Sequence, residues 1–232
     1  IYLLEGGARF FVPNTRTLKR MGYQESDVLS APDGFLNLVG EMPRDSSLLS
    51  EEDGPGVYVV YGGARFGIPS GEAFEAMGFD WGAIRRVPIG GFAQIPFIPA
   101  PYTRFREMSD SDEWVVVAGA RVQLDAQMLE QLLAAGKGAE LYVVPDGALE
   151  QIPVAEPPAT GDVSCDGNVD TQDALHLLRN AAGMPNLGLC MAAAGDVDCS
   201  ADLDSADALA VMRHVAGLEI AVPQGCPGLG AG

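Results

Sequence analysis

The feature that most constrains the fold is a repeat that occupies the first part of the chain. The segments YLLEGGARFFVP, YVVYGGARFGIP and WVVVAGARVQLD begin at Tyr2, Tyr58 and Trp114, which are evenly spaced, and align without a gap. In each segment two strand-like runs flank a glycine-containing turn, which predicts a tight β-hairpin. Tandem units of this length share one continuous core. The sequence therefore predicts an array of small units.

Local sequence signals predict a helix and a turn after the hairpin of each unit. A short helix is predicted after the hairpin, with Asn14 and Ser70 as N-caps and with Gly22 and Gly78 at the helix ends. A turn of the Val-Pro-Asp-Gly type follows and is predicted to lead into another short strand. The third unit departs from this pattern, because Asp125 replaces a proline and the helix predicted at 126–135 is longer.

One arginine recurs in every unit, directly after the turn, as Arg9, Arg65 and Arg121. Such a ladder either stacks on aromatic rings and pairs with nearby carboxylates or forms a repeated contact to an anion or a sugar. These units resemble short repeats of large bacterial cell-surface proteins that carry Gly-Gly-Ala-Arg-Phe and Val-Pro-Asp-Gly turns. The resemblance covers residues 1–153 and implies no catalytic activity.

A second kind of repeat lies near the C-terminus. The segment DVSCDGNVDTQD places oxygen-bearing side chains at the positions from which a calcium loop draws its ligands, with a glycine at the sixth place for the turn. The expected ligands of this loop, which we call loop 1, are Asp162, Ser164, Asp166, Asn168 (through its carbonyl), Asp170 and Asp173. An amphipathic helix pattern follows, with Ala174, Leu177, Leu178 and Ala181 on one face.

The pattern recurs further along the chain as DVDCSADLDSAD, which we call loop 2. Its expected ligands are Asp196, Asp198, Ser200, Asp202 (through its carbonyl), Asp204 and Asp207. Ala201 stands where loop 1 has the turn glycine, and alanine resists a positive φ. We therefore expect two calcium ions, of which the second is bound more weakly or in a strained turn.

Residues 161–226 resemble a dockerin, a module of two calcium loops that are each followed by a helix. The resemblance rests on GDVSCDGNVDTQDALHLLRNAAG and GDVDCSADLDSADALAVMRHVAG. It implies docking onto a cohesin module through the two helices. The corresponding contact residues here are Thr171, Gln172, Arg179, Ser205, Ala206 and Arg213. The two copies differ at the eleventh place of the loop.

All four cysteines lie in this module, which favours disulfides over a zinc site. Cys165 and Cys199 each take the fourth place of a loop, and Cys190 and Cys226 follow them at nearly equal offsets, past each helix. This spacing favours the pairs Cys165–Cys190 and Cys199–Cys226. Antiparallel helices would also permit the crossed pairs Cys190–Cys199 and Cys165–Cys226. Either pairing indicates an oxidising, extracellular setting.

The fold class expected from these patterns is α+β: tandem β-hairpin and helix repeats before a small all-α module with two calcium loops. The boundaries are repeats at 1–56, 57–112 and 113–153, a proline-rich linker at 154–160, the dockerin-like module at 161–226 and a glycine-rich tail at 227–232. Because Ile1 begins within a strand-like pattern, we expect a processed form or a piece of a longer chain.

The net charge of −18 argues against nucleic-acid binding, which needs clustered lysine and arginine. No apolar run approaches the ~20 residues of a membrane span. No catalytic constellation is recognisable, and we expect no enzyme. The sequence favours a secreted, bacterial-type cell-surface or filament protein that assembles with copies of itself through calcium-stabilised modules. The alternative is a module that docks onto a cohesin-type scaffold, with glycan binding possible.

Overall fold

The computed structural model describes residues 1–220, 223 and 225–230. The expected α+β class is confirmed, since strands and helices both occur among these residues. The strands are β1 (Tyr2–Glu5), β2 (Ala8–Phe11), β3 (Leu48–Glu51), β4 (Val57–Tyr61), β5 (Ala64–Ile68), β6 (Arg85–Val87), β7 (Arg104–Glu107), β8 (Glu113–Val117), β9 (Ala120–Gln123) and β10 (Leu141–Val144). The α-helices are α1 (Thr15–Arg20), α2 (Gly71–Ala76), α3 (Ala126–Ala134), α4 (Thr171–Ala181), α5 (Met191–Ala194) and α6 (Ser205–Val215).

The three predicted hairpins are present as β1–β2, β4–β5 and β8–β9, each antiparallel. Gly62 and Gly63 turn the second hairpin with φ of 57° and 74°, a conformation that glycine adopts without steric cost. The strand orders are β1-β2, β5-β4-β3-β6 and β10-β7-β8-β9.

The prediction of a strand directly after the Val-Pro-Asp-Gly-type turn is wrong, because in the second and third repeats a strand precedes this turn. In the second repeat β6 comes before it, and a 3-10 segment, Gly91–Gln94, comes after it. Gly90 has a φ of 82° there, which ends the extended conformation. The next strand, β7, belongs to the sheet of the following hairpin. Each later hairpin thus pairs with a strand that precedes it in the sequence.

Side-chain caps start the helices as predicted. Asn14 and Ser70 accept hydrogen bonds from the backbone N–H groups of Thr17 and Ala73. Asp125 accepts one from the Met128 N–H at 2.8 Å, so the residue that replaces the proline serves as the N-cap of α3.

The recurring arginines lie against aromatic rings. The guanidinium carbon of Arg65 is 4.0 Å from the ring centre of Phe97, and that of Arg121 is 4.8 Å from the ring centre of Trp114. Arg9 forms an ion pair with Glu41 at 2.7 Å. These contacts match the ladder of arginines over aromatics and against carboxylates.

The chain divides into two compact units. The first consists of Ile1–Ala100, Arg106–Ser111 and Tyr142–Ile152, and the second of Pro101–Phe105, Asp112–Leu141 and Pro153–Gly232. In the first unit Phe10, Leu49, Val60 and Val87 form part of one buried cluster, and none of these four side chains is exposed.

The second unit has one core to which the third hairpin and the C-terminal helices both contribute. Val115 and Leu132 are buried in the same cluster as Val163, Leu177 and Val211. Helices α4 and α6 pack against each other. Among the described residues, no helix combines the length and the apolar character that crossing a membrane requires.

The proline-rich stretch begins as an extended segment beside β9. Arg121 donates its N–H to the Pro153 carbonyl at 2.7 Å and accepts the Ala155 N–H at 2.9 Å. Further along, the Gly161 N–H donates to the Ala194 carbonyl at 2.8 Å. Backbone hydrogen bonds therefore hold both ends of the proline-rich stretch within the second unit. Loop 1 begins directly after the second of these ends.

Candidate metal centre

Loop 1 is closed by two buried carboxylates that accept backbone hydrogen bonds. Asp162 accepts from the N–H groups of Asp166 at 3.1 Å and Gly167 at 3.0 Å. Asp173 accepts from Ser164 at 2.9 Å and Asp170 at 2.8 Å. The exposed fractions of Asp162 and Asp173 are 2% and 0%. The first and last places of the loop are thus drawn toward its centre.

Loop 2 has the same pattern of hydrogen bonds. Asp196 accepts from the N–H groups of Ser200 at 2.9 Å and Ala201 at 3.0 Å. Asp207, which is fully buried, accepts from Asp204 at 2.9 Å and from Asp198, the counterpart of Ser164, at 3.4 Å, and also from Val197 at 2.9 Å. Two separate segments of the chain therefore adopt one loop conformation.

The helix that follows each loop fixes the ninth and twelfth places. Asp170 is the N-cap of α4 and accepts the Gln172 N–H at 2.6 Å, while Asp173 accepts the Asp170 N–H in return. Asp204 and Asp207 form the same reciprocal capping box at the start of α6. Because one carboxylate both caps the helix and closes the loop, the positions of loop and helix are coupled.

The turn at the sixth place has a positive φ in both loops, 85° at Gly167 and 69° at Ala201. Left-handed backbone costs a residue with a Cβ roughly 1–2 kcal/mol, so loop 2 has the strained turn that its sequence predicts. The cysteines at the fourth place share this conformation, with φ of 62° at Cys165 and 57° at Cys199.

The structure brings three of the predicted ligands of loop 2 together. Carboxylate oxygens of Asp196, Asp198 and Asp207 lie within 4.8 Å of one another. Loop 1 has Ser164 where loop 2 has Asp198, and it has Asp166 where loop 2 has Ser200. Because of these two exchanges, both loops offer the same number of side-chain carboxylates. The expected difference in calcium affinity therefore rests on the turn at Ala201.

The remaining predicted ligands lie on the same loops but are involved in local bonds. Asp166 accepts the Asn168 N–H at 2.9 Å, and the Ser164 hydroxyl donates to Asp162 at 3.4 Å. The Ser200 hydroxyl donates to the Asp202 carbonyl at 3.4 Å. These bonds lie within the loops, so each of these groups remains near the carboxylates with which it would share a cation.

The buried carboxylates have no cationic partner within the described part of the chain, since no lysine or arginine forms an ion pair with either loop there. Burial raises the pKa of Asp162, and the charges of Asp173 and Asp166 raise it further. Burial also raises the pKa of Asp207, with a contribution from Asp198. A bound cation would neutralise the uncompensated negative charge of these buried carboxylates.

Both disulfides join the partners that the repeat spacing favours, Cys165–Cys190 and Cys199–Cys226. Their Cα–Cα distances are 5.5 Å and 5.9 Å. The crossed pairing is not formed. Each bond ties the fourth place of a loop to the segment beyond the helix, and disulfides of this kind are typical of oxidising compartments.

The predicted partner-contact residues occupy the starts and ends of α4 and α6. Thr171, Gln172, Ser205 and Ala206 are exposed in the first turns. Arg213 is exposed and donates to the Glu219 carbonyl at 3.0 Å and 2.8 Å. Arg179 is half-buried, and its Nε has no hydrogen-bond partner among the described residues.

Five exposed large apolar side chains on these helices were not predicted as contact residues, Val215 at the end of α6 and four that recur as pairs. The exposed fractions of these four are 51% for Leu175, 43% for Leu178, 57% for Leu209 and 49% for Met212. Leu178 and Ala181 were expected on one face with Ala174 and Leu177, and that expectation is wrong because both are exposed, while Ala174 and Leu177 are the apolar residues of α4 that are buried. The two pairs recur at the same spacing as the loops, and that repeat was the signal available in the sequence.

His176 has a structural role. Its Nδ1 accepts the Leu187 N–H at 3.2 Å, and burial lowers its pKa below the usual value, with Arg179 lowering it further. A neutral imidazole therefore orders the segment that leads to Cys190.

Comparison with protein-family models, with curated proteins and with solved structures gives no match for this chain.

The turn geometry predicts opposite effects for two matched substitutions. Ala201→Gly should raise the free energy of unfolding by about 1 kcal/mol, and Gly167→Ala should lower it by about the same amount, since only glycine adopts this φ without strain. A Cβ at Gly167 meets no atom within 4 Å, so the strain of the positive φ is the only effect of the substitution in the folded state. Urea unfolding of both variants in chelator measures the effect. Equal shifts of the same sign would contradict the assignment of strain to Ala201.

The raised pKa values of Asp162 and Asp207 predict opposite pH dependences with and without calcium. In chelator, stability should rise as the pH falls from neutral toward about 4, because the folded state binds these protons more tightly than the unfolded state does. In excess calcium it should fall over the same range, since protons displace the ion. Thermal unfolding across this range measures both. Parallel curves would contradict a cation at these carboxylates.

Proposed function

We propose that this chain is a non-enzymatic, extracellular calcium-binding structural protein that joins to other protein chains through its dockerin-like module. The observation that carries the proposal is the shared hydrogen-bond pattern of two acidic loops that bury carboxylates without a cationic partner. Burying ionised carboxylates costs several kcal/mol unless a counter-charge is present. A divalent cation in each loop would supply that counter-charge.

The donor set favours calcium over other divalent cations. The loops present carboxylate, hydroxyl and carbonyl oxygens, and calcium takes six to eight such ligands in flexible geometry. Zinc and copper prefer nitrogen and sulfur ligands. The four cysteines are consumed in disulfides. His176 is engaged with the backbone.

In this proposal, each loop would hold one calcium ion. The ligands of the first ion would be Asp162, Ser164, Asp166, the Asn168 carbonyl, Asp170 and Asp173. The ligands of the second ion would be Asp196, Asp198, Ser200, the Asp202 carbonyl, Asp204 and Asp207. The chain's own part is to bring the first and twelfth places of each loop together through backbone hydrogen bonds. It also fixes α4 and α6 to the loops through the capping boxes. Calcium thereby sets the geometry of the two helices.

The surface that would meet a partner is formed by the exposed residues of α4 and α6. Leu175 and Leu178 recur as Leu209 and Met212, and such repeated apolar pairs on otherwise polar helices are typical of protein-binding surfaces. The expected contact residues Thr171, Gln172, Arg179, Ser205, Ala206 and Arg213 belong to the same helices. The hairpin repeats would then be the building block that this module joins to a cell surface or a filament.

The second candidate is a module that docks onto a cohesin-type scaffold. It is supported by the same exposed apolar pairs on α4 and α6, which would meet a receptor, whereas the difference between Gln172 and Ala206 argues against binding of one receptor through either helix alike. The two candidates differ in the partner that they require: self-assembly needs only calcium and more of the same chain, whereas docking needs a different protein.

Light scattering of the oxidised protein, first in chelator and then with added calcium, tests self-assembly. We expect the particle mass to rise with calcium and to fall again when chelator is restored. The double variant Leu178→Asp, Met212→Asp should bind calcium yet remain monomeric. Leu133→Asp, on α3 and similarly exposed at 45%, is the matched control and should assemble normally.

A chain that takes up calcium and remains monomeric at every concentration would exclude self-assembly and leave the scaffold-docking candidate. Assembly that persists in the double variant would show that the exposed pairs on α4 and α6 do not form the interface.

A further inference from the structure

The recurring arginine of the third repeat has different surroundings from its two counterparts. Arg9 donates to the Leu36 carbonyl and forms the 2.7 Å ion pair with Glu41. Arg65 donates to the Phe92 carbonyl, and its guanidinium carbon is 5.5 Å from the centre of the Phe92 ring. The first two guanidinium groups therefore each have an acceptor within their own repeat.

Arg121 has no such acceptor among the residues that the structure describes. Its guanidinium group makes no hydrogen bond and no ion pair with any of them. Its Nε is nevertheless buried, whereas its two terminal nitrogens reach the surface. Because water solvates such a half-buried charge only in part, an anion at the exposed edge of the group would be bound more strongly than at a fully solvated arginine.

The residue that contacts the arginine in the earlier repeats is replaced in the third. Each arginine donates its backbone N–H to a carbonyl, and the acceptors are Gly40, Pro96 and Pro153. The next residue is Glu41 in the first repeat and Phe97 in the second, and both contact the arginine side chain. In the third repeat it is Val154, which offers neither a charge nor a ring and is 56% exposed. The third site is therefore open where the other two are filled.

The guanidinium group of Arg121 is held in place although it is unpaired. Its carbon lies 4.8 Å from the ring centre of Trp114. The backbone of Arg121 is fixed on both sides, by the Pro153 carbonyl at 2.7 Å and the Ala155 N–H at 2.9 Å. A guanidinium stacked on an aromatic ring keeps its fork of N–H donors in one orientation. A group ordered in advance loses less entropy when it binds a ligand.

Gln123 adds a second polar group on the same face of the hairpin. It lies opposite Trp114 across the strands and two places after Arg121, so these three side chains share one face. Val115, on the other face, belongs to the core of the second unit. The Gln123 Nε2 donates to the Asp112 carboxylate at 2.8 Å, which directs the amide oxygen away from that carboxylate.

We propose that Arg121, Trp114 and Gln123 form a binding site for a uronic acid residue of an acidic glycan. The sugar carboxylate accepts two hydrogen bonds from the terminal nitrogens of Arg121, the fork geometry that this pair of groups favours. A sugar hydroxyl donates to the Gln123 amide oxygen. The half-buried Trp114 ring contacts the apolar face of the sugar ring.

The chemistry of the site favours a sugar acid over other ligands. A neutral sugar would leave the charge of Arg121 without a counter-charge. A peptide with several acidic side chains would bring further negative charge close to Asp112 and to a protein of net charge −18. A uronic acid residue combines one carboxylate for Arg121 with hydroxyl groups for Gln123. The ligand class is therefore defined by one charge and several hydroxyl donors.

This inference goes beyond the proposed function and does not depend on calcium. It assigns a ligand to one hairpin face of the third repeat, whereas the proposed function concerns the acidic loops and the helices that follow them. In this account the protein binds an acidic glycan through side chains alone, so removal of calcium leaves the site intact.

Trigalacturonate is the probe, and the fluorescence of Trp114 reports its binding. The chain has two tryptophans, so the signal is recorded in a Trp81→Phe background with both disulfides formed. We expect a saturable change with trigalacturonate. Maltotriose, a neutral trisaccharide, and triglutamate, an acidic peptide, should each bind at least about tenfold more weakly, since each lacks one of the two kinds of contact.

Substitutions in the same background test the position. Arg121→Gln removes the charge and should weaken binding at least about tenfold, and Arg121→Lys keeps the charge without the fork and should weaken it about threefold. Arg86→Gln removes the same charge from an exposed position in the second repeat and is the matched control, which should bind normally. Circular dichroism and thermal unfolding check that the variants remain folded.

Nuclear magnetic resonance of the unsubstituted protein gives a measurement that does not rely on any variant. The Arg121 Nε–H and Trp114 Nε1–H signals should shift together and saturate as trigalacturonate is added. Absence of saturable binding, or binding that leaves both signals in place, would overturn the proposal. So would equal binding of maltotriose or triglutamate, or full binding by Arg121→Gln.

The titration is made in calcium and again in chelator. We expect the same affinity in both. Binding that is lost in chelator would place the uronate on a bound calcium ion and overturn the assignment to Arg121. A failure of calcium-dependent assembly leaves this result unaffected, so the two proposals are tested separately.

Discussion

Two buried carboxylates, Asp173 and Asp207, hold together the parts of the molecule on which its proposed function depends. Each accepts hydrogen bonds from the start of an acidic loop and from the N-cap of the helix that follows. Neither has a cation nearby among the described residues, so each loop brings negative charges together at a cost. A bound ion that offsets this cost would also stabilise the orientation of α4 and α6.

The loops connect to the rest of the second unit through one core. Leu177 of α4 and Val211 of α6 are buried in the same cluster as Val115 and Leu132 of the third repeat. The disulfides add a covalent link at the fourth place of each loop. The two loops, the two helices and the third repeat are therefore joined through one buried cluster and two covalent links.

The sequence predicted the helix after each acidic loop and the two disulfide pairs, because their determinants are local. Loop length, the positions of the acids and the capping residues Asp170 and Asp204 all lie within a few residues of each other. The disulfide pairs followed from the repeat spacing for the same reason. Leu178 was misplaced because helical periodicity identifies an apolar side of a helix without showing how wide the buried stripe is.

The strand order could not be predicted, because it depends on contacts between neighbouring repeats. β3 belongs by sequence to the first repeat and by hydrogen bonds to the sheet of the second. The even spacing of Tyr2, Tyr58 and Trp114 gives the size of a unit. It does not show where one structural unit ends and the next begins.

The central claim, that each acidic loop holds one cation, is tested most directly by native mass spectrometry in calcium. The account predicts two ions per chain, one ion in Asp162→Asn and one in Asp196→Asn, with the ion of loop 2 lost first as calcium is lowered. A chain that carries no calcium at millimolar concentration, or variants that both retain two ions, would contradict it.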